Sequence, residues 1–304
     1  MSMGVLNNIA ATYAANNLSN TQASLQNVLT QLSSGSRINS GADDAAGLSL
    51  ANGLQANQSA LTQSASNVNL GVGLLQTADG ALSQVNNLLN RAVTLATEAG
   101  NGTLNGSQDA AANQEYQSIL AEINNIGATT TYNGNAVFGA SASIYTSDGT
   151  ATGTSMDTLT IAALSSASVG DANGTISYTA AAGTTPATIS YAVGAGATDK
   201  IDLSTTDLTS SANARTALTA IGNAITDVAA QRGYLGSQIN TLNSMAGVET
   251  TQSENLASAS NSIMATDYTQ ATSMLSKYQI LTQTGISALA QANSTQQAVT
   301  KLLQ

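Results

Sequence analysis

The sequence predicts a mainly α protein: an elongated, coiled-coil-like rod of long antiparallel helices, with paired terminal helices and a small β-rich insert. Three observations predict it. First, Leu54, Leu61, Val68, Leu75, Leu82 and Leu89 recur every seven residues. Apolar side chains at that spacing form one stripe, which winds against a partner helix. Second, Ile221, Val228, Leu235 and Leu242 repeat the spacing in the second half of the chain. Third, residues 139–205 lose the pattern, turn rich in Gly, Ala, Ser and Thr, and hold the single proline, Pro186.

The first long helix is expected over residues 42–99, about 85 Å at a rise of about 1.5 Å per residue. A second seam runs through Ala65, Val72, Val85 and Val93. Asp43 and Asp44 stand at its start, where carboxylates favour the positive end of the helix dipole. A catalytic pair would need two carboxylates facing one site, and neighbouring side chains on a helix diverge. Gly100, Asn101 and Gly102 end the helix. Tyr116, Ile119, Leu120, Ile123 and Ile126 place a second helix at 108–127, closed by Gly127, and Asn133-Gly134 reads as a tight turn. In the insert, Leu159-Thr160-Ile161 alternates with the strand period. Thr-Ile-Ser-Tyr occurs at 175–178 and again at 188–191 around Gly183-Thr184-Thr185-Pro186, the pattern of a hairpin. On the far side, Leu256 and Ile263 rejoin the heptad register after Glu249 interrupts it.

The two ends resemble each other. Val5, Leu6, Ile9, Leu25, Val28, Leu29 and Leu32 mark the first, and Leu275, Tyr278, Leu281, Leu289, Val299, Leu302 and Leu303 the last. Both sets lie on a background of Asn, Gln, Ser and Thr, and residues 1–36 carry no charge. Burying so few apolar groups falls short of the backbone entropy of ordering the segment. Each end is therefore expected to be helical only against a partner, and the two ends to pair with each other and with other copies.

Composition narrows function. The chain has 304 residues with no His and no Cys, which excludes His-based and thiol nucleophilic catalysis, disulfides, and zinc sites built on nitrogen or sulfur. Seven cations against a net charge of −10 exclude nucleic acid, whose phosphates demand a basic patch. No run approaches the ~20 apolar residues of a membrane span, and no basic n-region precedes an apolar run as in a cleaved secretory signal. A soluble chain, or one exported without cleavage, is expected. Asp148, Asp157, Asp171 and Asp199 fit no twelve-residue calcium loop and read as solvated loop charges. No metal and no cofactor are expected.

Several stretches resemble bacterial flagellin, in one order. They are LSSGSRINSGADDAAGLSLA at 32–51, QTADGAL at 76–82, EINNIGATTTYNG at 122–134, QRGYLGSQINTL at 231–242, ENLASASNSIMATDYTQATS at 254–273 and ISALAQAN at 286–293. The resemblance covers about 1–138 and 212–304. It implies a non-enzymatic structural subunit that self-assembles into the flagellar filament for swimming motility. Residues 1–41 and 263–304 would be the two halves of an inner filament-core domain, and 42–138 and 209–262 those of the rod domain. Residues 139–208 would be the variable outer insert, dispensable for assembly. Implied partners are other copies of the chain, the flagellar export apparatus, a flagellin chaperone, the filament cap and the hook–filament junction proteins. Export would be unfolded and without cleavage, to the outside of the cell. A hook–filament junction protein of the same architecture is the alternative, and the full QTADGAL and QRGYLGSQINTL motifs favour flagellin proper. Arg91 is a surface cation by its residue type. By resemblance, Arg91, Leu95 and Glu115 match the patch recognised by the innate-immune flagellin receptor. Val93 and Thr94 replace the family's usual Arg and Glu there, so weaker recognition is expected.

Overall fold

The computed structural model describes residues 8–147, 156–169, 174–179, 188–193 and 202–302. Among the described residues, five long helices carry the chain: α1 (Ile9–Ser34), α2 (Ala45–Gly100), α3 (Gly106–Thr129), α4 (Ser211–Met264) and α5 (Tyr268–Leu302). Among the described residues, six short strands lie between α3 and α4. They are β1 (Thr131–Tyr132), β2 (Asn135–Ala136), β3 (Ser141–Tyr145), β4 (Met156–Thr160), β5 (Gly174–Thr179) and β6 (Thr188–Val193). They pair antiparallel as three two-stranded ribbons, β1–β2, β3–β4 and β5–β6. The turn residues 183–186 between β5 and β6 lie outside the described residues. The chain divides into two compact units, residues 1–56 with 255–304, and residues 57–254.

Helix starts are set by side chains that satisfy the free N–H groups of the first turn. Asn8 Oδ1 accepts from Ala11 N, and Asn105 forms a capping box with Gln108. Asp44 accepts from Gly47 N at 2.8 Å, so it sits before α2 as its cap, and the helix begins at Ala45 rather than at 42. Asp43 turns back instead. It accepts from the Asn39 and Ser40 N–H groups and from the Ser40 hydroxyl, donors that hold its carboxyl below the usual carboxylate range. Asp267 Oδ1 accepts from Thr269 N and Gln270 N at the start of α5. At the end of α2, Arg215 Nε donates to the Gly100 carbonyl, which places a cation at the negative end of the helix.

In the unit of residues 1–56 and 255–304, α1 packs on α5, and the two connectors beside them are joined. Arg37 N donates to Met264 O, and Thr266 N to Gly35 O. Gly35 terminates α1 with φ 70°, a left-handed conformation that disfavours a side chain, and a Cβ there would also meet the Tyr268 hydroxyl.

In the unit of residues 57–254, α2 and α4 run antiparallel. Ser64 meets Glu249, and Asp79 meets Arg232. Leu61, Val68, Leu75, Leu82 and Leu89 are buried in this seam, together with Ile221, Val228, Leu235 and Leu242. Of the second seam, Val72 and Val85 are buried, while Ala65 and Val93 are half-buried. Leu54, in the other unit, is half-buried. Helix α3 adds Tyr116, Ile119, Leu120 and Ile123. It continues past Gly127 to Thr129. Gly127 is a packing position rather than a terminator, because a Cβ on it would run into the Leu164 carbonyl oxygen. Asn133 (φ 49°) and Gly134 (φ 80°) make the two-residue turn of β1–β2, the left-handed pair such a turn requires.

Part of the segment expected as the insert, 139–208, contributes to the core. Ile144, Leu159, Ile161, Leu164, Val169, Leu203 and Leu208 join the same apolar cluster as α2, α3 and α4. Asn124 of α3 accepts from Ser166 N at 2.7 Å and donates to Ser166 Oγ at 3.1 Å. The Tyr116 and Thr206 hydroxyls bond at 2.5 Å, and Leu208 N donates to Asn113 Oδ1. Residues 141–145, 156–169 and 202–208 therefore complete the helical core. Gly71 of α2 makes room for this, since a Cβ on it would overlap Ile144 Cδ1.

Candidate assembly surface

The paired terminal helices bury little between them. On α1, Val28 is buried, and Leu25 and Leu32 are half-buried. On α5, Ala271 is buried, and Leu275, Tyr278 and Leu289 are half-buried. Asn8 Nδ2 donates to Ala292 O, which ties the start of α1 to α5. Large apolar side chains are left over in solvent. Ile9 (62%), Tyr13 (68%) and Leu29 (47%) are exposed on α1, and Ile280 (64%), Ile286 (50%), Leu281 (41%) and Met274 (39%) on α5. Val5, Leu6 and Leu303 lie outside the described residues, as do the side chains of Val299 and Leu302, whose backbone belongs to α5.

These exposed residues do not share one stripe. At about 100° per residue, Leu29 stands roughly 160° around α1 from Tyr13, and Ile286 roughly 140° around α5 from Leu281. A single partner helix can cover only one side, so this pair presents apolar groups in more than one direction. Charge does little to solvate them. Helix α1 has no ionisable group except Tyr13, and α5 has Lys277 and Lys301 as its only charged side chains.

The receptor-like patch comes out differently from the sequence expectation. Arg91 Nε and Glu115 Oε1 pair at 2.7 Å, with both side chains about half exposed. The shared hydrogen bond raises the guanidinium's value and lowers the carboxyl's. Leu95, however, is only 4% exposed and lies in the core cluster. A spacing of four residues puts two side chains on neighbouring positions of a helix, but the long Arg91 chain reaches solvent from the edge of a seam into which Leu95 points. The surface patch is therefore an ion pair without its aliphatic member.

Two polar contacts between α2 and α4 were not legible beforehand. Arg232 holds Asp79 through Nε–Oδ1 at 2.7 Å and Nη2–Oδ2 at 3.3 Å, and the only prior signal was that each lies within a motif. Glu249 reads in sequence as an interruption of the apolar register, yet it is buried and its Oε1 lies 2.7 Å from Ser64 Oγ, within hydrogen-bond distance. Among the described residues, no three His, Cys, Asp or Glu side chains gather as a metal site would require. No described helix is long and apolar enough to cross a membrane. An open groove of about 1180 Å³ between α2 and β1–β3, lined by Asn67, Leu70, Tyr132, Ile144 and Tyr145 among others, carries no charged side chain.

The sequence matches known proteins over most of its length. The family model described as bacterial flagellin N-terminal helical region matches residues 5–143, and that of the bacterial flagellin C-terminal helical region matches 218–303. The flagellin of Listeria monocytogenes serovar 1/2a is 31% identical over 282 residues, which is 90% of this chain and 90% of that one. The flagellin of Halalkalibacterium halodurans is 31% identical over 308 residues, covering 99% of this chain and all of the other. Flagellin 1 of Proteus mirabilis is 40% identical over 134 residues, 44% of this chain and 37% of that one. The crystal structure of Bacillus cereus flagellin superposes over 64% of this chain and 94% of that chain, at 28% identity and a TM-score of 0.44.

Long helices from both halves of the chain that share one apolar core, and a separate pair of terminal helices, define the class by fold: a mainly α protein with small β ribbons. The chain belongs to the bacterial flagellin family, whose members form the flagellar filament outside the cell.

Proposed function

We propose that α1 and α5 are the polymerisation element, and that each copy completes its apolar packing against the same helices of several neighbours. The observation that carries this is the spread of Ile9, Tyr13, Leu29, Ile280, Leu281 and Ile286 around a nearly uncharged pair. In this reading, residues 1–41 with 263–304 line the filament core, and 42–138 with 209–262 form the rod outside it. The chain reaches the filament unfolded through the flagellar export apparatus, its terminal segments shielded by a flagellin chaperone until the filament cap places it beyond the hook–filament junction. A chain without cysteine suits that passage, since no stray disulfide can form on the way. The chain acts by packing and performs no catalysis. On the monomer, Arg91 and Glu115 are the groups open to the immune receptor.

The test is seeded polymerisation followed by electron microscopy. Deleting residues 1–36 or 270–304 is expected to leave a helical, soluble monomer that does not extend filament fragments. Filaments from either truncated chain would refute the assignment.

A further inference from the structure

Three elements of the unit 57–254 meet at one buried hydroxyl. Ser64 Oγ on α2 lies 2.7 Å from Glu249 Oε1 on α4 and 3.2 Å from the carbonyl oxygen of Tyr145 at the end of β3. Ser64 is 1% exposed and Glu249 5%. Glu249 Oε2 is buried and has no hydrogen-bond partner.

The hydrogens decide the charge state. A serine hydroxyl has one hydrogen to donate and lone pairs with which to accept, and an ionised carboxylate only accepts. With Glu249 ionised, Ser64 can serve the carboxylate or the Tyr145 carbonyl, but not both. With Glu249 neutral, its O–H donates to Ser64 Oγ, and Ser64 donates to Tyr145 O, so both contacts are made at once. The neutral acid also spares Oε2 the cost of a buried, unpaired negative charge.

Among the described residues, no cation stands by to offset that charge; Lys200 lies outside them. Helix α2 has no charged residue between Asp44 and Asp79. On α4, Arg232 is 17 residues away, about 25 Å along the helix, and is taken up by Asp79. Beyond Asp79, Arg232 and Glu249 itself, the ionisable groups of these elements are Tyr145 on β3, Asp157 in register with Ile144 on β4, Arg91 and Glu98 on α2, and Arg215, Asp227, Tyr234 and Glu254 on α4; the two arginines lie 27 residues from Ser64 and 34 from Glu249 along their helices. Asp148, beyond β3, lies outside the described residues. Donors hold the carboxyls of Asp43, Glu115 and Asp207 down, whereas burial pushes that of Glu249 up, and the Ser64 hydrogen bond reverses only part of the push.

We infer that Glu249 is carried as the neutral acid in the folded chain, and that its proton links α4 through Ser64 to strand β3, forming a joint that loosens when the acid ionises. Glu249 thus occupies its place in the apolar register without breaking it.

The linkage has a definite sign. The folded chain holds this proton more tightly than the unfolded chain, so the stabilisation is complete below the unfolded carboxyl's value of about 4.3 and is lost as pH rises through the folded value. Between those two values, a single retained proton changes the folded-to-unfolded ratio by up to about tenfold per pH unit.

The experiment uses the full chain as monomer, with thermal and denaturant unfolding measured across pH. Wild type is expected to lose stability in that window. Glu249→Gln, whose amide donates to Ser64 at every pH, is expected to lack this component and to gain on wild type as pH rises. Parallel pH profiles would overturn the inference. A second readout needs no variant: carbon-13 labelling of the five glutamates. One carboxyl resonance is expected to stay in the protonated position after the other four have ionised. Five carboxyls titrating together in the ordinary range would overturn the inference equally.

Discussion

Replacing Leu75 by Ala tests whether the heptad stripe holds the unit 57–254 together. Leu75 is 0% exposed and belongs to the cluster shared by α2, α3, α4 and the insert. Truncating a buried Leu removes transfer free energy and leaves a cavity, about 2–5 kcal/mol together. The site cannot easily collapse. Three helices converge on the cluster, and Gly71, one turn before Leu75, already packs against Ile144 as closely as its missing side chain allows. The upper half of the range is therefore expected. In a unit of this size, 1 kcal/mol moves the midpoint by roughly 2–4 °C, so Leu75→Ala should melt about 7–20 °C below wild type. The control sits on the same helix. Leu70 is 58% exposed, and Leu70→Ala should change stability by no more than about 0.5 kcal/mol. The assay is thermal unfolding of both monomers followed by far-UV circular dichroism. Equal midpoints for the two variants, or a Leu75→Ala midpoint within about 2 °C of wild type, would refute the assignment of the stripe to the core.

The insert should behave as two parts rather than one. Replacing residues 174–193 with a short Gly/Ser linker should leave the monomer's midpoint nearly unchanged, whereas replacing 156–169, which removes Leu159, Ile161, Leu164 and Val169 from the core, should lower it markedly; unfolding curves of the two deletions decide this. The receptor-like patch should divide in the same way. Arg91→Ala should weaken a receptor reporter signal from monomers while leaving the fold intact, and Leu95→Ala should lower the melting midpoint, so a reporter loss without destabilisation in Leu95→Ala would show that residue at the surface after all.

The helices could be read before any coordinates, because their cause is local. Heptad spacing and the acids before α2 act within one or two turns of chain, and α2 and α3 begin and end within three residues of where such signals put them. The Asn133-Gly134 turn was legible for the same reason, since few other residue pairs tolerate its two left-handed positions. Repeated Thr-Ile-Ser-Tyr runs likewise announced β5 and β6. Partnership across distance was not legible. Residues 156–169 are short and rich in Gly, Ser and Thr nearby, so nothing in their spacing shows that Leu159 and Leu164 fill a gap left by α2 and α3. Spacing also set Arg91 and Leu95 on one side of a helix, but only the elements packed around α2 decide which of them faces water. Glu249 is the sharpest instance. By composition it interrupts an apolar register, and only the hydroxyl brought to it from 185 residues earlier in the chain turns the interruption into a buried contact. Periodicity is a property of the segment and is written in it, whereas burial belongs to the pair of surfaces that meet, and the second surface comes from elsewhere in the chain.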